Sequence, residues 1–211
     1  MNKIIVFGAT GGTGLQVVQQ ALSAGYKVTA VVRTPDAFKI SDKNLEVIKG
    51  DVLQPGTFEN VFNGNDAIIS CVGSKALQHT VIYSQGISNI INAMRKAGVY
   101  RVVCISAGAA VIPPKSSFLI KFFVKNILQR IFKYMYADML LMEKILIESD
   151  LNWTVIRAPR LTNSPLTGKY RIATQDLLTI QSKISRADLA DFIIKHLTDQ
   201  KTFKARVEVS Y

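Results

Sequence analysis

The stretch KIIVFGATGGTGLQVVQQALSAGYKVTAVV, residues 3–32, decides the fold. Lys3–Phe7 is a short, mostly apolar run that predicts a buried strand, and a glycine-rich turn follows it directly. Leucine and valine then recur at helical spacing as far as Ala24 and Gly25, where glycine is suited to end a helix. Lys27–Val32 predicts a second strand. A strand, a glycine loop, a helix and a strand begin a parallel α/β sheet.

The same alternation continues along the chain. Further strands are predicted at Leu45–Ile48, Asp66–Cys71, Arg101–Ile105, Trp153–Ile156 and Tyr170–Ala173. Helices are predicted at Thr57–Phe62, Thr80–Lys96, Tyr136–Glu148 and from Ser185, whose spacing to Asp188 is typical of a capping box, to Leu197. The predicted fold class is therefore α/β, a doubly wound parallel sheet of the Rossmann type. Because the pattern weakens after Arg157, we expect one domain over residues 1–211, in which the part from about residue 158 forms a small C-terminal substrate lobe.

Composition excludes several classes of protein. The chain has 211 residues, of which 48% are hydrophobic, so it can bury a core and is not disordered. Cys71 and Cys104 have no CxxC spacing, so they predict neither a disulfide framework nor a metal site, and they suit buried thiols in a reducing compartment such as the cytoplasm. The first apolar run is too short for a signal peptide, and no stretch is apolar enough for a transmembrane helix.

The positive charge is concentrated in the middle of the chain. There are 26 Lys+Arg against 15 Asp+Glu overall, and between Asp66 and Asp138 there is no carboxylate at all. Such a field attracts a phosphorylated cofactor, an acidic substrate, a nucleic acid or a membrane surface. No recognisable nucleic-acid module is present, so we expect no nucleic-acid partner. Nothing in the sequence indicates the number of subunits.

Residues 116–133 predict a basic amphipathic helix. Its basic and polar positions recur every four residues, at Lys121, Lys125, Gln129 and Lys133. Its apolar stripe consists of Ile120, Val124, Ile127, Leu128 and Ile131. Such a helix could make peripheral contact with an anionic membrane, cover the substrate cleft as a lid, or form an oligomer contact. We favour the interpretation that its apolar face packs on the core.

The glycine loop carries the strongest chemical signal. Gly8, Gly11 and Gly14 follow a strand and open a helix, so backbone N–H groups at the helix N-terminus can face a pyrophosphate. The residue that ends the second strand discriminates between cofactors, because an acidic residue there binds a ribose 2′-hydroxyl and arginine accommodates a 2′-phosphate. That residue is Arg33, so NADP(H) is favoured over NAD(H). The alternative is an ordinary surface arginine at a strand end.

Motifs along almost the whole chain resemble a known family. They are FGATGGTG (7–14), VVRTP (31–35), GDVLQP (50–55), DAIISCVG (66–73), ISAGAA (105–110), ESDLNWTVIRAPRLTNSPLTGKYR (148–171) and ISRADLADFI (184–193). Together they resemble the atypical short-chain dehydrogenase/reductase group of NAD(P)H-binding proteins. Within that group the chain is most similar to the flavin reductase, or biliverdin-IXβ reductase, family and its NmrA-like relatives.

The resemblance implies a set of site residues. It implies a pyrophosphate loop of Gly8, Thr10, Gly11, Gly12, Thr13 and Gly14, with Arg33 at the 2′-phosphate. It also implies adenine neighbours Asp51 and Val52, a wall beside the ribose of Val72, Gly73 and Ser74, and Ser106 near the nicotinamide.

Two departures from the family shape the predicted chemistry. Ordinary short-chain dehydrogenases use a Tyr-x-x-x-Lys pair as a general acid, and no tyrosine here has lysine four residues later, which disfavours carbonyl reduction. Arg160 stands where the animal flavin reductase has a histidine, and arginine suits an anionic or planar acceptor. Hydride transfer to such an acceptor needs no dedicated acid, because the proton can come from water.

The predicted function is therefore an NADPH-dependent reductase of a small planar acceptor such as a flavin or a quinone. In this interpretation Ser106 positions the nicotinamide or the acceptor, and Arg160 stabilises the charge that the acceptor gains. The alternative roles are a strand-end cap for Ser106 and a loop contact for Arg160. Two other functions stay open: an NADP(H)-binding sensor or regulatory protein of the NmrA-like kind without turnover and, more remotely, a nucleotide-sugar epimerase or dehydratase.

Overall fold

The structure is a computed structural model that describes residues 1–74, 78–112, 117–174 and 183–211. In order along the chain the strands are β1 (Lys3–Phe7), β2 (Lys27–Val32), β3 (Leu45–Lys49), β4 (Ala67–Ser70), β5 (Arg101–Ala107), β6 (Asn152–Ala158), β7 (Arg160–Thr162), β8 (Arg171–Thr174), β9 (Lys183–Ser185) and β10 (Ala205–Ser210). The helices are α1 (Gly12–Ser23), α2 (Ser84–Ala97), α3 (Phe118–Phe123), a π-helical turn (Val124–Leu128), α4 (Gln129–Ile131), α5 (Lys133–Ile147) and α6 (Arg186–Lys195).

The described strands form one large sheet in the order β3-β2-β1-β4-β5-β6-β10-β8 and a small sheet of β7 and β9. All neighbours in the large sheet are parallel except β8, which runs antiparallel to β10 at the edge. Strand β1 pairs with β2 on one side and with β4 on the other, so the chain winds away from it in both directions. A crevice opens beyond the carboxyl ends of the strands at such a point. The predicted doubly wound α/β fold is confirmed.

Both faces of the sheet are covered by apolar side chains. Ile5 and Phe7 of β1 face the cluster that contains α2 and α5. Ile4 and Val6 face the opposite cluster, which contains α1 and α6. A strand that is buried on both faces needs apolar residues at every position, which explains the continuous apolar run of β1.

The predicted helix at Thr57–Phe62 is wrong. The segment forms two short 3₁₀ turns, Pro55–Thr57 and Glu59–Val61, separated at Phe58, whose φ of −144° and ψ of −12° are not helical. Phe58 turns its ring against Phe7, with the two ring centroids 5.0 Å apart and nearly perpendicular. Aromatic packing on the sheet therefore takes precedence over continuation of the helix.

The helix predicted to begin at Thr80 begins at Ser84 instead. The carboxylate of Asp138 on α5 accepts hydrogen bonds from the backbone N–H groups of Tyr83 (2.9 Å) and Ser84 (3.2 Å). It also accepts the hydroxyl proton of Ser84. A side chain from another helix thus caps α2, because the first N–H groups of a helix have no partner within it.

Residues 117–131, the described part of the predicted amphipathic helix up to the start of α5, do not form one regular α-helix packed on the core. The π-helical turn separates α3 from α4. Val124 and Leu128 are half-buried, whereas Ile127 and Ile131 are exposed. Of the remainder of the stretch, residue 116 lies outside the described residues, as does the side chain of Ile120. In the part of the chain that the structure describes, no helix has both the length and the apolar character needed to cross a membrane.

The C-terminal region contains more strands than predicted. The strand expected at Tyr170–Ala173 is present as Arg171–Thr174, and the capping role of Ser185 is confirmed because its side chain accepts a hydrogen bond from the backbone N–H of Asp188. Strands β7, β9 and β10 were not predicted. Asp188 connects α6 to the loop before β8, because its carboxylate accepts hydrogen bonds from the N–H groups of Thr167 and Gly168, both at 2.8 Å.

Candidate functional site

The glycine loop between β1 and α1 is shaped by close backbone contacts. Gly8 has a φ of +71°, and a Cβ atom there would lie 2.5 Å from the carbonyl oxygen of Cys71 at the end of β4. A Cβ on Gly14 would lie 2.2 Å from the carbonyl oxygen of Gly8. Both positions therefore exclude any side chain. The loop is pressed against β4 on one side and against the first turn of α1 on the other.

The N-terminus of α1 suits an anion. Gly11 precedes the helix without a side-chain cap, and the first turn of α1 contains no acidic residue. The N–H groups of that turn and the positive end of the helix dipole are therefore available to a phosphate group. These features fit the pyrophosphate of a dinucleotide.

A cleft of about 840 Å³ begins at this helix end and follows the carboxyl edge of the sheet. Its volume is within the range of roughly 300–1,000 Å³ typical of small-molecule sites. The predicted site residues that line it are Gly8, Thr10, Gly11, Gly12, Thr13, Arg33, Asp51, Val52, Val72, Gly73, Ser74 and Ser106. Residues that lie far apart in the sequence therefore meet in one cavity, because the strands that carry them end at the same edge.

Gly14 and Arg160 are not among the described residues that line the cleft. Gly14 packs against Gly8 and Ala9, so it allows α1 to approach the glycine loop. Arg160 is exposed at the start of β7, whereas its neighbours Pro159 and Leu161 line the cleft. Side chains alternate along a strand, so Arg160 and Leu161 point in opposite directions.

Arg186, at the start of α6, also lines the cleft and was not predicted. Its side chain lies over the glycine loop, since a Cβ on Gly12 would be 2.7 Å from the Cδ of Arg186. One guanidinium nitrogen, Nη1, donates to the side-chain oxygen of Asn163 at 2.7 Å, which helps to hold the arginine in place. A second positive charge, besides Arg33, thus lies beside the anion-binding end of α1.

Ser106 belongs to a buried polar cluster at the other end of the cleft. Its hydroxyl donates to Oε1 of Glu143 on α5 at 2.8 Å. Arg157 donates to both oxygens of that carboxylate, from Nε at 3.1 Å and from Nη2 at 2.6 Å. Arg206 on β10 adds a further bond, from Nε to Oε2 at 3.2 Å. Glu143 is only 2% exposed, so the two arginines compensate a charge that is hidden from water.

Strand register explains why this cluster forms. Ser106 on β5 lies opposite Arg157 on β6, and Arg157 lies opposite Glu208 on β10. The three side chains therefore share one face of the sheet at its carboxyl edge. Since Glu143 already receives the hydroxyl proton of Ser106, the serine oxygen can serve a ligand in the cleft only as an acceptor.

Two further side chains in the cleft have pKa values shifted by burial. Burial raises the pKa of the Tyr83 phenol above its ordinary value, and its oxygen accepts a hydrogen bond from the N–H of Ser74 at 3.0 Å. Burial raises the pKa of the Cys71 thiol to about 12, so this cysteine is neutral and is a poor nucleophile. Tyr83 was missed because the sequence pattern placed it inside a helix.

The uncapped helix end, the glycine loop and the cleft match the result of a comparison with protein families. A family model described as NAD(P)H-binding matches residues 8–200. The chain belongs to this NAD(P)H-binding family. The expected NAD(P)H-binding family is thereby confirmed, and solved structures described as short-chain dehydrogenases/reductases share the fold of the chain.

Curated relatives of this NAD(P)H-binding protein come from photosynthetic organisms, among others. An uncharacterised chloroplastic protein of Arabidopsis thaliana is 29% identical over 224 residues, which cover 99% of this chain and 76% of that protein. The photosystem II assembly factor Ycf39 of Synechocystis is 26% identical over 82% of this chain and 49% of its own length. The chain therefore spans about half the length of the Synechocystis factor.

Solved structures share the fold of this NAD(P)H-binding protein along nearly its whole length. A candidate epimerase from Bacteroides thetaiotaomicron is 26% identical, with a TM-score of 0.81 over 100% of this chain and 97% of that one. A short-chain dehydrogenase/reductase from Veillonella parvula in complex with NADP is 18% identical, with a TM-score of 0.79 over 100% and 94%. A candidate NADH-flavin reductase from Streptococcus pneumoniae is 21% identical, with a TM-score of 0.80 over 100% and 99%. At these identities the last two show the fold alone.

Proposed function

We propose that this protein is an NADPH-dependent reductase that passes a hydride to a small planar acceptor, a flavin or a quinone. One observation carries the proposal: beside Ser106, the described lining of the cleft includes a wall of apolar residues from β5, α5 and the junction of β6 and β7. That wall consists of Ile105, Ala107, Met139, Ala158, Pro159 and Leu161. A flat, apolar ring can stack there, and the wall offers no acid–base pair for a carbonyl substrate.

The chemistry that fits this wall is simple. Bound NADPH supplies two electrons and a proton as a hydride, and the reduced acceptor takes its second proton from water. The protein orients the rings and excludes other geometries. Ser106, held by Glu143, is positioned to accept a hydrogen bond from the nicotinamide amide or the acceptor. The main role that we assign to the residues is therefore binding and orientation.

Further parts of the proposal concern domain organisation and location. We propose that residues 1–211 form one domain, in which the part from about residue 158 contributes the acceptor side of the cleft. Pro159 and Leu161 support this assignment, because they line the cleft. The free thiols of Cys71 and Cys104 are compatible with a reducing compartment such as the cytoplasm.

A non-catalytic NADP(H) sensor is the second candidate. The missing Tyr-x-x-x-Lys pair fits this candidate as well as the reductase. The sensor is favoured by relatives whose name describes assembly of photosystem II rather than a reaction. An epimerase or dehydratase is disfavoured by the same missing pair, although a candidate epimerase shares the fold.

Turnover separates the two leading candidates. We expect the purified protein to oxidise NADPH in the presence of menadione or FMN. The Leu161→Asp substitution, which puts a charge on the apolar wall, should raise the KM of the acceptor at least about tenfold and leave the Kd of NADPH unchanged. Arg160→Ala, at the neighbouring exposed position, is the matched control and should change this KM less than about twofold. Tight NADPH binding with no acceptor reduced would favour the sensor.

Two arginines should differ in what they recognise. Arg33→Ala should weaken NADPH binding roughly 10- to 100-fold, because a charge-assisted contact with the 2′-phosphate is lost, and should leave NADH binding nearly unchanged. Arg186→Ala should weaken both cofactors by similar factors, because the pyrophosphate is common to them. Titration calorimetry with each cofactor measures the four ratios. An equal loss of NADPH and NADH affinity in Arg33→Ala would rule out the proposed 2′-phosphate contact.

A further inference from the structure

The helical segment between the glycine-containing turn after β5 and helix α5 exposes an unusual amount of apolar surface. Phe118 and Leu119 are 79% and 77% exposed, and the rings of Phe118 and Phe122 stack on each other with centroids 6.4 Å apart. We call residues 117–133 the basic apolar surface. Its exposed large apolar side chains are Phe118, Leu119, Phe122, Phe123, Ile127 and Ile131.

Isolated exposed apolar side chains are ordinary, but six within fourteen residues, two of which stack on each other, are not. Contiguous exposed apolar patches mark surfaces that a partner or a membrane covers. Leu128 and Phe132 pack against the core, so the segment is attached to the protein on its other side. The exposed side chains therefore lie on a segment that is anchored to the protein at Leu128 and Phe132.

The charge of the basic apolar surface indicates what kind of partner would cover it. Lys121, Lys125, Arg130 and Lys133 lie on the same segment, and none of them forms a salt bridge with a described residue. The nearest carboxylate in the sequence is Asp138, which is buried and caps α2. The complementary surface is consequently anionic as well as apolar.

An anionic lipid surface matches this chemistry better than an acidic protein does. Aromatic residues, phenylalanine included, are enriched at protein–protein interfaces, so the phenylalanines suit either partner. Three of the four cations are lysines, however, which are depleted at such interfaces. Lysines flanking phenylalanine, leucine and isoleucine are instead typical of helices that lie in the interface of a bilayer. In that position the apolar side chains enter the acyl boundary and the lysines remain among the headgroups.

Hydrogen bonds hold the basic apolar surface at a fixed position relative to the cleft. Nε2 of Gln129 donates to the carbonyl oxygens of Ala109 (3.2 Å) and Ala110 (3.3 Å), in the turn that follows β5. Ser106, at the end of β5, lines the cleft. The segment is therefore held at the carboxyl edge of the sheet, on the same edge as the cofactor cleft.

We propose that residues 117–133 dock the protein peripherally on an anionic lipid bilayer, with the apolar side chains in the interfacial region and the basic side chains at the headgroups. This inference is independent of the proposed reductase activity, because it concerns binding to a surface and needs neither NADPH nor an acceptor. It also differs from the favoured sequence interpretation, in which the apolar face of this segment packs on the core.

Vesicle flotation with the full-length protein tests the proposal. We expect the protein to float with vesicles of equal parts phosphatidylcholine and phosphatidylglycerol and to be released from them by high salt. It should not bind vesicles of phosphatidylcholine alone. Lys121→Glu/Lys125→Glu should lower the binding at least about tenfold, since each lysine near the surface contributes favourably. Phe118→Ser/Phe122→Ser should lower it by a similar factor through lost apolar burial.

A matched pair controls for net charge. Lys49→Glu and Lys201→Glu change the charge by the same amount at exposed positions outside the segment, so this double variant should retain most of the binding. Equal losses in the two lysine pairs would overturn the proposal, because they would reveal a general charge effect. The proposal also fails if the wild type binds neither kind of vesicle. A wild type that ignores vesicles but is a dimer, which Phe118→Ser/Phe122→Ser converts to a monomer, would assign the surface to a second copy of the chain.

Discussion

Replacement of Glu143 by leucine is expected to lower the free energy of unfolding by about 3 kcal/mol or more. The carboxylate receives hydrogen bonds from Ser106, Arg157 and Arg206, and it is 2% exposed. The loss of stability comes mainly from the positive charge of Arg157, which remains buried without its partner. Arg157 is only 7% exposed, so without Glu143 its guanidinium loses a bidentate partner in a place where water cannot replace it. Urea unfolding followed by circular dichroism measures the loss.

A double variant distinguishes a stranded charge from simple loss of packing. In Glu143→Leu/Arg157→Met both charges of the pair are gone, and apolar replacement of a whole buried pair is often close to neutral. The double variant should therefore be more stable than Glu143→Leu alone. Arg206→Ala should cost less than about 1 kcal/mol, because the side chain of Arg206 is 45% exposed. The losses of unfolding free energy in Glu143→Leu and Arg157→Met should not add in the double variant. If they simply add, this account of the cluster is contradicted.

The same cluster shows why part of the site could not be predicted from the sequence. Glu143 looks like one of the charged positions of an ordinary helix, and Arg157 interrupts an apolar strand without explanation. Only the order β5-β6-β10 brings Ser106, Arg157 and Arg206 together beneath α5. Strand β10 was missed although Ala205–Ser210 alternates apolar and polar residues, a pattern that itself predicts a strand.

The glycine loop is the opposite case. A strand, a tight turn and a helix follow one another within residues 3–23, so local pattern and turn chemistry were sufficient to predict them. The start of α2 was less predictable, because its cap is Asp138, which is 54 residues away from Ser84 in the sequence. Arg186 was missed at the glycine loop because α6 is far from α1 in the sequence and the two helices meet only in the folded protein. Local features were therefore predictable, and contacts that depend on the sheet order were not.

The second large effect is expected at Gly8. The Gly8→Ala substitution should lower the free energy of unfolding by about 3 kcal/mol or more and abolish measurable NADPH binding. Alanine at a φ of +71° is itself unfavourable, and its Cβ would lie 2.5 Å from the carbonyl oxygen and 2.6 Å from the carbonyl carbon of Cys71. A clash with backbone atoms cannot be relieved by rotating a side chain. The strands β1 and β4 must therefore separate where the cleft begins. Thermal and urea unfolding measure the stability, and calorimetry measures the binding.

Other glycines separate the two causes. Gly98 has a similar φ of +67° but open space around the position of a Cβ, so Gly98→Ala should show the conformational cost alone, about 1 kcal/mol. Gly12→Ala would meet only the flexible side chain of Arg186, so this variant should fold normally and lose cofactor affinity, because the methyl group lies in the cleft beside the helix N-terminus. Equal stability of Gly8→Ala and Gly98→Ala would mean that the close approach of the loop to β4 contributes nothing, and the loop would then owe its shape to φ alone.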